Sequence, residues 1–290
     1  MIKIGIIPNN FIDSVVDCTA QVIKFLCKND CEIYIPDVFT DTLEGYEKEC
    51  VQKINQQDIF CVSDIIISIG GDGTILEIAE NAARKSVPIL GINMGTVGFM
   101  TELEATEVNL LEAIFTSGYK IQPRMMLDVE IIRDNKVLNS YIALNDVVMF
   151  KGIISKLIEI NLFCNDKKVT SYRADGLIVA TPTGSTAYTL SAGGAVIDPQ
   201  VDGICVTPVN ANAFLNSFPM VYSAKNEFSL EVARKRDDQV YLSVDGMKNI
   251  RILYGDRVVI RKSETFAELV RIKNTEFYEA VCKKLSERGK

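Results

Sequence analysis

A carboxylate sits in the middle of a glycine-rich loop. Gly70-Gly71-Asp72-Gly73-Thr74 follows directly on the apolar run Ile65 to Ile69. Glycines leave no Cβ in the path of a ligand and admit backbone conformations with positive φ. A helix opening at Thr74 would turn its unpaired N–H groups and positive dipole end toward the same spot, which suits an anion such as a phosphate. A tight strand-to-helix turn would explain a lone glycine pair without any ligand. Two features count against that bland account. The loop lacks the lysine of a Walker-type phosphate loop. It also holds Asp72, which is awkward beside phosphates unless a metal ion or a proton transfer makes use of it. The chain contains no histidine, so any proton acceptor must be another side chain. Asp72 is the first candidate.

A second segment is dense in small hydroxyl residues. Arg173-Ala174-Asp175-Gly176 leads through an apolar strand, Leu177 to Ala180, into Thr181-Pro182-Thr183-Gly184-Ser185-Thr186-Ala187-Tyr188, with Ser191 beyond. Ser/Thr-rich stretches are commonly surface loops. This one is flanked by apolar segments, so part of it is expected to be buried. Buried hydroxyls need partners, and a bound polar ligand is one possibility. Asp175 and Asp146 are carboxylates able to accept hydrogen bonds from ribose hydroxyls or an amide. Taken alone, Asn145-Asp146 inside the apolar run Ile142 to Phe150 reads as polar side chains facing solvent. The dinucleotide fingerprint is absent. Gly71-Asp72-Gly73 lacks its third glycine, and Gly91 to Gly98 has the wrong spacing, which disfavours a hydride-transferring Rossmann enzyme.

The elements that must position these residues divide in two. In the first part, strand signals at Ile2 to Ile7, Cys31 to Ile35, Asp64 to Ile69 and Val87 to Ile92 alternate with helical spacing. The helical stretches are Asp13 to Lys28, Thr74 to Lys85 and Glu104 to Ser117. This pattern predicts a parallel sheet with helices on both faces, and places the first loop at the carboxyl end of a strand, where such folds bind ligands. From Gln122-Pro123 onward short β runs dominate: Leu127 to Arg133, Tyr141 to Met149, Leu157 to Phe163, Gly176 to Ala180, Phe228 to Val232, Val240 to Val244 and Arg257 to Arg261. They predict a mostly β, sandwich-like domain interrupted by one helix from Ser185 to Gly193. The amphipathic tail Thr275 to Leu285 is expected to pack back on the body. The predicted domains are 1–122, 123–274 and a helical tail at 275–290.

Composition narrows the class. The chain has 290 residues, 48% of them apolar, and a net charge of −7. That is enough for a substantial core, and it argues against nucleic acid as a partner. The basic run Arg234-Lys235-Arg236 is followed at once by Asp237-Asp238 and reads as a solvated turn. No stretch approaches the roughly 18 apolar residues of a membrane span, so no membrane partner is expected. The eight cysteines are scattered without a Cys-x-x-Cys pair. Reduced, mostly buried thiols and a cytoplasmic location are the expectation.

Taken together, the motifs closely resemble the NAD kinase family. The likeness runs through Gly70 to Thr74, Gly91-Ile92-Asn93 with Gly95 and Gly98-Phe99, Asn145 to Val148, Arg173 to Gly176, Thr181 to Tyr188, and Ser191 to Gly194. A Gly-Gly-Asp-Gly-Thr loop alone is shared with lipid kinases and relatives of phosphofructokinase; the Thr-Pro-Thr-Gly-Ser-Thr-Ala-Tyr stretch after Arg-x-Asp-Gly is close to diagnostic. The resemblance implies an N-terminal α/β domain and a C-terminal β-sandwich, in homodimers or homotetramers. It also implies phosphoryl transfer from ATP, or from polyphosphate in some members, to the 2′-hydroxyl of the adenosine ribose of NAD. Mg2+ would accompany ATP, without a dedicated protein metal site.

Residue by residue, the resemblance makes Asp72 the proton acceptor and Gly70, Gly71, Asp72, Gly73 and Thr74 the phosphate cradle. Asn145, Asp146 and Asp175 match positions on the dinucleotide, as do Thr183, Thr186, Ala187, Tyr188, Thr189, Leu190 and Ser191. Lys156 and Arg173 match positions that contact ligand in some members. Three departures stand out. Asp146 replaces the family's usual Glu, Met247 follows Asp245-Gly246 where many members carry Gln, and Thr207 to Pro219 lacks the family's Pro-His and Arg-Pro. Two other readings share part of the pattern: a lipid kinase acting on diacylglycerol-like substrates, and a dinucleotide-binding protein without activity.

Overall fold

In the computed structural model of the chain, residues 1–9, 14–42, 50–95, 98–152, 156–212, 218–237 and 239–288 are described. Asp13, where the first helix was expected to begin, and Thr96-Val97, Ala213 and Asp238 lie outside them. The chain divides into two units, Met1–Pro123 with Phe266–Lys290, and Arg124–Thr265.

The first unit is built on β1 (Ile2–Pro8), α1 (Ser14–Leu26), β2 (Cys31–Pro36), β3 (Val51–Ile54), α2 (Gln56–Val62), β4 (Ile65–Gly70), α3 (Asp72–Arg84) and β5 (Ile89–Asn93). The short β6 (Leu103–Glu104) and α4 (Glu112–Phe115) follow. Strands β3-β2-β1-β4-β5 lie side by side in that order, all parallel. β4 is buried at every position and apolar at all but Ser68 up to its closing glycine, as a central strand covered on both faces requires. Its residues Ile65, Ile67 and Ile69 share a core with Val15, Val22 and Leu26 of α1. The other face carries α2, since a Cβ at Gly5 would meet Ile59 and Ser63. Helices therefore cover both faces, as the alternating pattern predicts.

Glu104 to Ser117 was expected to be one helix. Instead a 3-10 stretch, Ala105–Leu111, precedes the single turn of α4, and Glu107 inside it has non-helical backbone angles. The Glu107 carboxylate accepts the N–H of Glu104 at 2.8 Å and pairs with Lys273. A carboxylate used that way tightens the first turn.

The second unit carries β7 (Lys120–Arg133), β8 (Lys136–Ala143), β9 (Asp146–Lys151), β10 (Ile158–Cys164), β11 (Lys167–Ala174), β12 (Gly176–Ala180) and the one-turn α5 (Tyr188–Ser191). β13 (Gly203–Val209), β14 (Met220–Ser223), β15 (Phe228–Val232), β16 (Val240–Val244), β17 (Lys248–Ile252) and β18 (Arg257–Arg271) complete it. The chain enters this unit within β7 and leaves it within β18; α6 (Phe277–Arg288) ends the described chain. One sheet runs β14-β13-β12-β9-β16-β17, and β11-β10-β15-β18 are neighbours in another. Alternate residues from both, among them Val147, Met149, Leu177, Val179 and Leu242 against Ile160, Leu162, Leu230 and Ile260, form one core. This is a β-sandwich.

Two expectations change here. Tyr141 to Met149 was read as one strand, but β8 and β9 belong to different sheets and the chain crosses between them at Leu144-Asn145. The helix expected from Ser185 to Gly193 is instead a 3-10 turn, Thr183–Thr186, then α5, with a break at Ala187. Both changes come from side chains that capture main-chain groups.

Candidate active site

At the first loop, β4 ends at Gly70, Gly71 caps α3 and Asp72 is the first helical residue. Gly71 at the N-cap has no side chain to cap the first N–H groups of this helix, and such a helix end, with its positive dipole, suits an anion. A Cβ at Gly71 or Gly73 would meet nothing within 4 Å, whereas one at Gly70 would overlap the Thr74 hydroxyl. None of the three has positive φ. Of the two freedoms glycine offers, the loop therefore uses open approach, at 71 and 73. Thr74 is 2% exposed, and its N–H donates to the Gly71 carbonyl at 3.0 Å.

Asp72 is tightly held. Its Oδ2 accepts the Phe99 N–H at 2.6 Å, and its Oδ1 accepts those of Met100 at 2.9 Å and Thr101 at 3.3 Å. A carboxylate offers about four lone-pair sites; among the described residues, three are taken, and the fourth lies on Oδ2. Gly98 makes this grip possible, because a Cβ there would overlap both Asp72 Oδ1 and the Thr101 hydroxyl. Asn93 shapes the approach to the same turn. It is 2% exposed, donates to the Gly95 carbonyl and to Glu104 Oε2, both at 3.0 Å, and accepts the Gly95 N–H at 3.3 Å.

The strand order places this loop at a switch point. From β1 the chain steps outward to β2 and β3, then returns to the other side of β1 as β4. In open α/β sheets, the crevice beyond the carboxyl ends of such a strand pair is where ligands bind. Asn9, just past β1, stands there. Its N–H donates to the Ile69 carbonyl at 2.8 Å, and its side-chain amide donates to the Thr74 hydroxyl at 3.0 Å.

In the second unit the hydroxyl array is chiefly structural. The Thr181 hydroxyl donates to the Leu144 carbonyl at 2.6 Å and accepts the Gly184 N–H at 3.0 Å. Ser185 donates to the Pro182 carbonyl at 2.6 Å and accepts the Ile197 N–H at 2.9 Å, while Thr186 donates to the Thr183 carbonyl at 3.1 Å. These buried hydroxyls find their partners within the chain. Thr183 is buried, with Arg124 donating to its hydroxyl at 3.4 Å. Gly184 lies so close to Asn145 that a Cβ would overlap the Asn145 main chain.

That contact belongs to the crossing at Leu144-Asn145. The Asp245 carboxylate accepts the N–H groups of Leu144, Asn145 and Asp146 at 2.7, 2.8 and 3.0 Å. The Thr181 N–H donates to the Asn145 carbonyl at 2.9 Å. Asn145 and Asp146 are thereby buried rather than facing solvent, at 7% and 6% exposed, and the Asn145 Oδ1 has no partner among the described residues. Burial first, and the nearby Asp245 charge second, push the Asp146 carboxyl up to about 7.

Asp175 is half-buried between Lys151, with which it forms an ion pair, and Asn210, whose amide donates to it at 3.0 Å. Lys151 first and Asn210 second hold its carboxyl below the usual range. Lys156 and Arg173 are exposed, and Lys156 lines a small depression with Lys151, Arg236 and Gln239. Tyr188 and Ser191 are exposed, and Ala187 and Leu190 half-buried. Thr189 is fully enclosed, and among the described residues its hydroxyl has no partner.

Sequence reasoning missed Asn9, Lys151, Arg124 and the structural task of Asp245. Asp245-Gly246 was read only as a turn signal, which it also is, with φ of 50° and 71°. Met247 is exposed just beyond it. In the unusual segment, Asn210 binds Asp175 and the Asn212 N–H donates to the Arg173 carbonyl at 2.9 Å; 213–217 lie outside the described residues.

Comparison with known proteins bears on both units. Residues 4–119 match the ATP-NAD kinase N-terminal domain family and residues 144–272 the ATP-NAD kinase C-terminal domain family. The NAD kinase of Thermoanaerobacter sp. (strain X514) is 37% identical over 289 residues, covering 99% of this chain and 100% of that protein. The NAD kinase of Caldanaerobacter subterraneus subsp. tengcongensis is 38% identical over the same span and coverage. Among solved structures, an NAD kinase from Archaeoglobus fulgidus in complex with ATP superposes with a TM-score of 0.73 at 26% identity, covering 98% of this chain and 99% of that one. Yeast NADH kinase complexed with NADH shares the fold, with a TM-score of 0.90 at 23% identity, covering 100% of this chain and 89% of that one. With both units matched and full-length relatives above a third identical, the chain belongs to the NAD kinase family.

Proposed function

We propose that the chain transfers the terminal phosphoryl group of ATP, or of polyphosphate, to the 2′-hydroxyl of the adenosine ribose of NAD, giving NADP, with Asp72 as proton acceptor. The observation that carries this reading is the state of the Asp72 carboxylate: it is gripped by three N–H donors, and among the described residues no fourth group takes the remaining lone pair on Oδ2, beside a helix end whose N-cap is a glycine. A hydroxyl placed at that lone pair is oriented before it reacts. As its oxygen bonds to the terminal phosphorus, the proton passes to Oδ2 and the bond from that phosphorus to the bridging oxygen breaks, releasing ADP when ATP is the donor.

The open approach at Gly71 and Gly73 fits donor phosphates with their Mg2+, which offsets phosphate charge when bound. Positioning and electrostatics then carry most of the catalysis, since phosphoryl transfer leaves the protein little covalent work. For the dinucleotide we assign Asn145, Asp146 and Asp175 with the segment Thr183 to Ser191, and Lys156 and Arg173 as exposed cations. Homodimers or homotetramers accompany this reading through the family resemblance, and a cytoplasmic location through the scattered cysteines; among the described residues, no helix is long and apolar enough to cross a membrane.

The test is an assay of NADP formation from NAD and ATP. Asp72→Asn is expected to lower turnover by roughly 10²–10⁴, the usual share of proton acceptance. Turnover at the wild-type rate in a folded Asp72→Asn protein removes Asp72 from this role. Phosphorylation of a diacylglycerol-like lipid in place of NAD would identify a different acceptor.

A further inference from the structure

The turn that grips Asp72 is itself gripped from behind. Arg271, the last residue of β18, directs one terminal guanidinium nitrogen at the Met100 carbonyl (3.2 Å), the Thr101 carbonyl (3.5 Å) and Glu102 Oε2 (3.0 Å). Its Nε donates to Gln122 Oε1 at 2.9 Å. The other Glu102 oxygen accepts the N–H groups of Ile272 at 2.9 Å and Lys273 at 2.6 Å. The Arg271–Glu102 pair is well shielded, with the side chains 18% and 7% exposed.

One peptide unit links this pair to the carboxylate. The Met100 carbonyl that accepts from Arg271 and the Thr101 N–H that donates to Asp72 Oδ1 belong to the same planar group. Because the peptide is rigid, fixing the direction of its carbonyl fixes the direction of its N–H. A cation at the oxygen also polarises the group and strengthens donation at the nitrogen, an effect enhanced where water is excluded.

We propose that Arg271, oriented by Glu102, is a positioning residue for phosphoryl transfer: it sets the Met100–Thr101 peptide so that its N–H holds the Asp72 carboxylate in its reactive orientation. This rests on the reading of Asp72 as proton acceptor. A purely structural role, fastening the chain end to the first unit, makes a different prediction.

The experiment is a double-mutant cycle on the full chain, with NADP formation and thermal unfolding measured for Arg271→Met and Glu102→Gln in wild-type and Asp72→Asn backgrounds. Arg271→Met is expected to lower kcat about 10- to 100-fold while KM for NAD and ATP moves less than about 3-fold. In the Asp72→Asn background the same change should cost less than about 3-fold, because the group it positions is already gone. An equal loss in both backgrounds, or an unchanged kcat, overturns the proposal. Glu102→Gln keeps an acceptor for the Ile272 and Lys273 amides, so it decides the matter by the same criteria should Arg271→Met not fold. A wild-type chain that makes no NADP, or an Asp72→Asn chain at full rate, defeats the underlying reading and this inference together, and shows itself before Arg271 is altered.

Discussion

The Asp245 carboxylate accepts the backbone N–H of Asp146 at 3.0 Å while its charge faces the buried Asp146 carboxyl. The first interaction pins the strand crossing; the second raises the proton affinity of the neighbour it pins. Burial is the larger cause of the rise to about 7, and Asp245 adds to it.

A pH dependence of stability follows. Unfolded, Asp146 ionises near the ordinary aspartate value of about 3.9. Between there and about 7 the folded chain holds a proton that the unfolded chain has released. This contribution therefore weakens as pH rises through that window and is constant above it. Asp146→Asn should flatten the trend and raise stability at pH 8, by up to about 4 kcal/mol. Urea unfolding at pH 5, 6, 7 and 8 provides the check. Parallel curves for the two proteins would rule the explanation out.

Gly98→Ala tests the grip on Asp72. The added methyl would overlap Asp72 Oδ1 and the Thr101 hydroxyl, so the carboxylate must shift away from its three N–H donors. Overpacking of this kind costs about 1–3 kcal/mol. A misplacement of about 1 Å at a reacting group costs on the order of 10²-fold in rate. We expect a modest fall in melting temperature and a large fall in kcat. Near-wild-type kcat would mean that the 98–101 turn does not set the geometry of Asp72.

Thr181→Val tests the structural hydroxyls of the second unit. Valine matches threonine in shape but leaves the buried Leu144 carbonyl without its donor and the Gly184 N–H without its acceptor. Each orphaned group costs about 1–3 kcal/mol. The expected loss is of that order, read from denaturant unfolding. If stability is unchanged and only the KM for NAD rises, the hydroxyl serves the ligand instead.

The legible parts of this fold were those set by periodicity. The run Ile65 to Ile69 is apolar at all but Ser68, and it became a central strand because only a covered parallel sheet buries both faces. Gly176 to Ala180, Phe228 to Val232 and Val240 to Val244 match their strands end to end. What stayed hidden was set by long-range polar contacts. Nothing local announces that Asp245 breaks the run Tyr141 to Met149, since donor and acceptor lie 99 to 101 residues apart. The hydroxyls of Thr181 and Ser185 mark the second segment whether they bind ligand or main chain, so composition alone could not separate the two. Asp72 was visible as a candidate, but its Phe99, Met100 and Thr101 donors are main-chain groups with no side-chain signature.

Asn9 carries the last prediction. It stands past the end of β1, beside the strand that delivers the glycine loop, and its amide donates to the hydroxyl of Thr74 in the first turn of α3. With phosphate bound at that helix end, the same amide is placed to hold the loop against it. Asn9→Ala removes the donor and leaves Thr74 to rotate, so the proposed donor site should lose order while the proposed dinucleotide contacts of the second unit keep theirs. KM for ATP should rise about 5- to 10-fold, as expected for one hydrogen bond of about 1–1.4 kcal/mol, with KM for NAD changed far less. Equal changes in both constants would place Asn9 outside the donor site, because a residue serving one substrate alone cannot weaken the two alike.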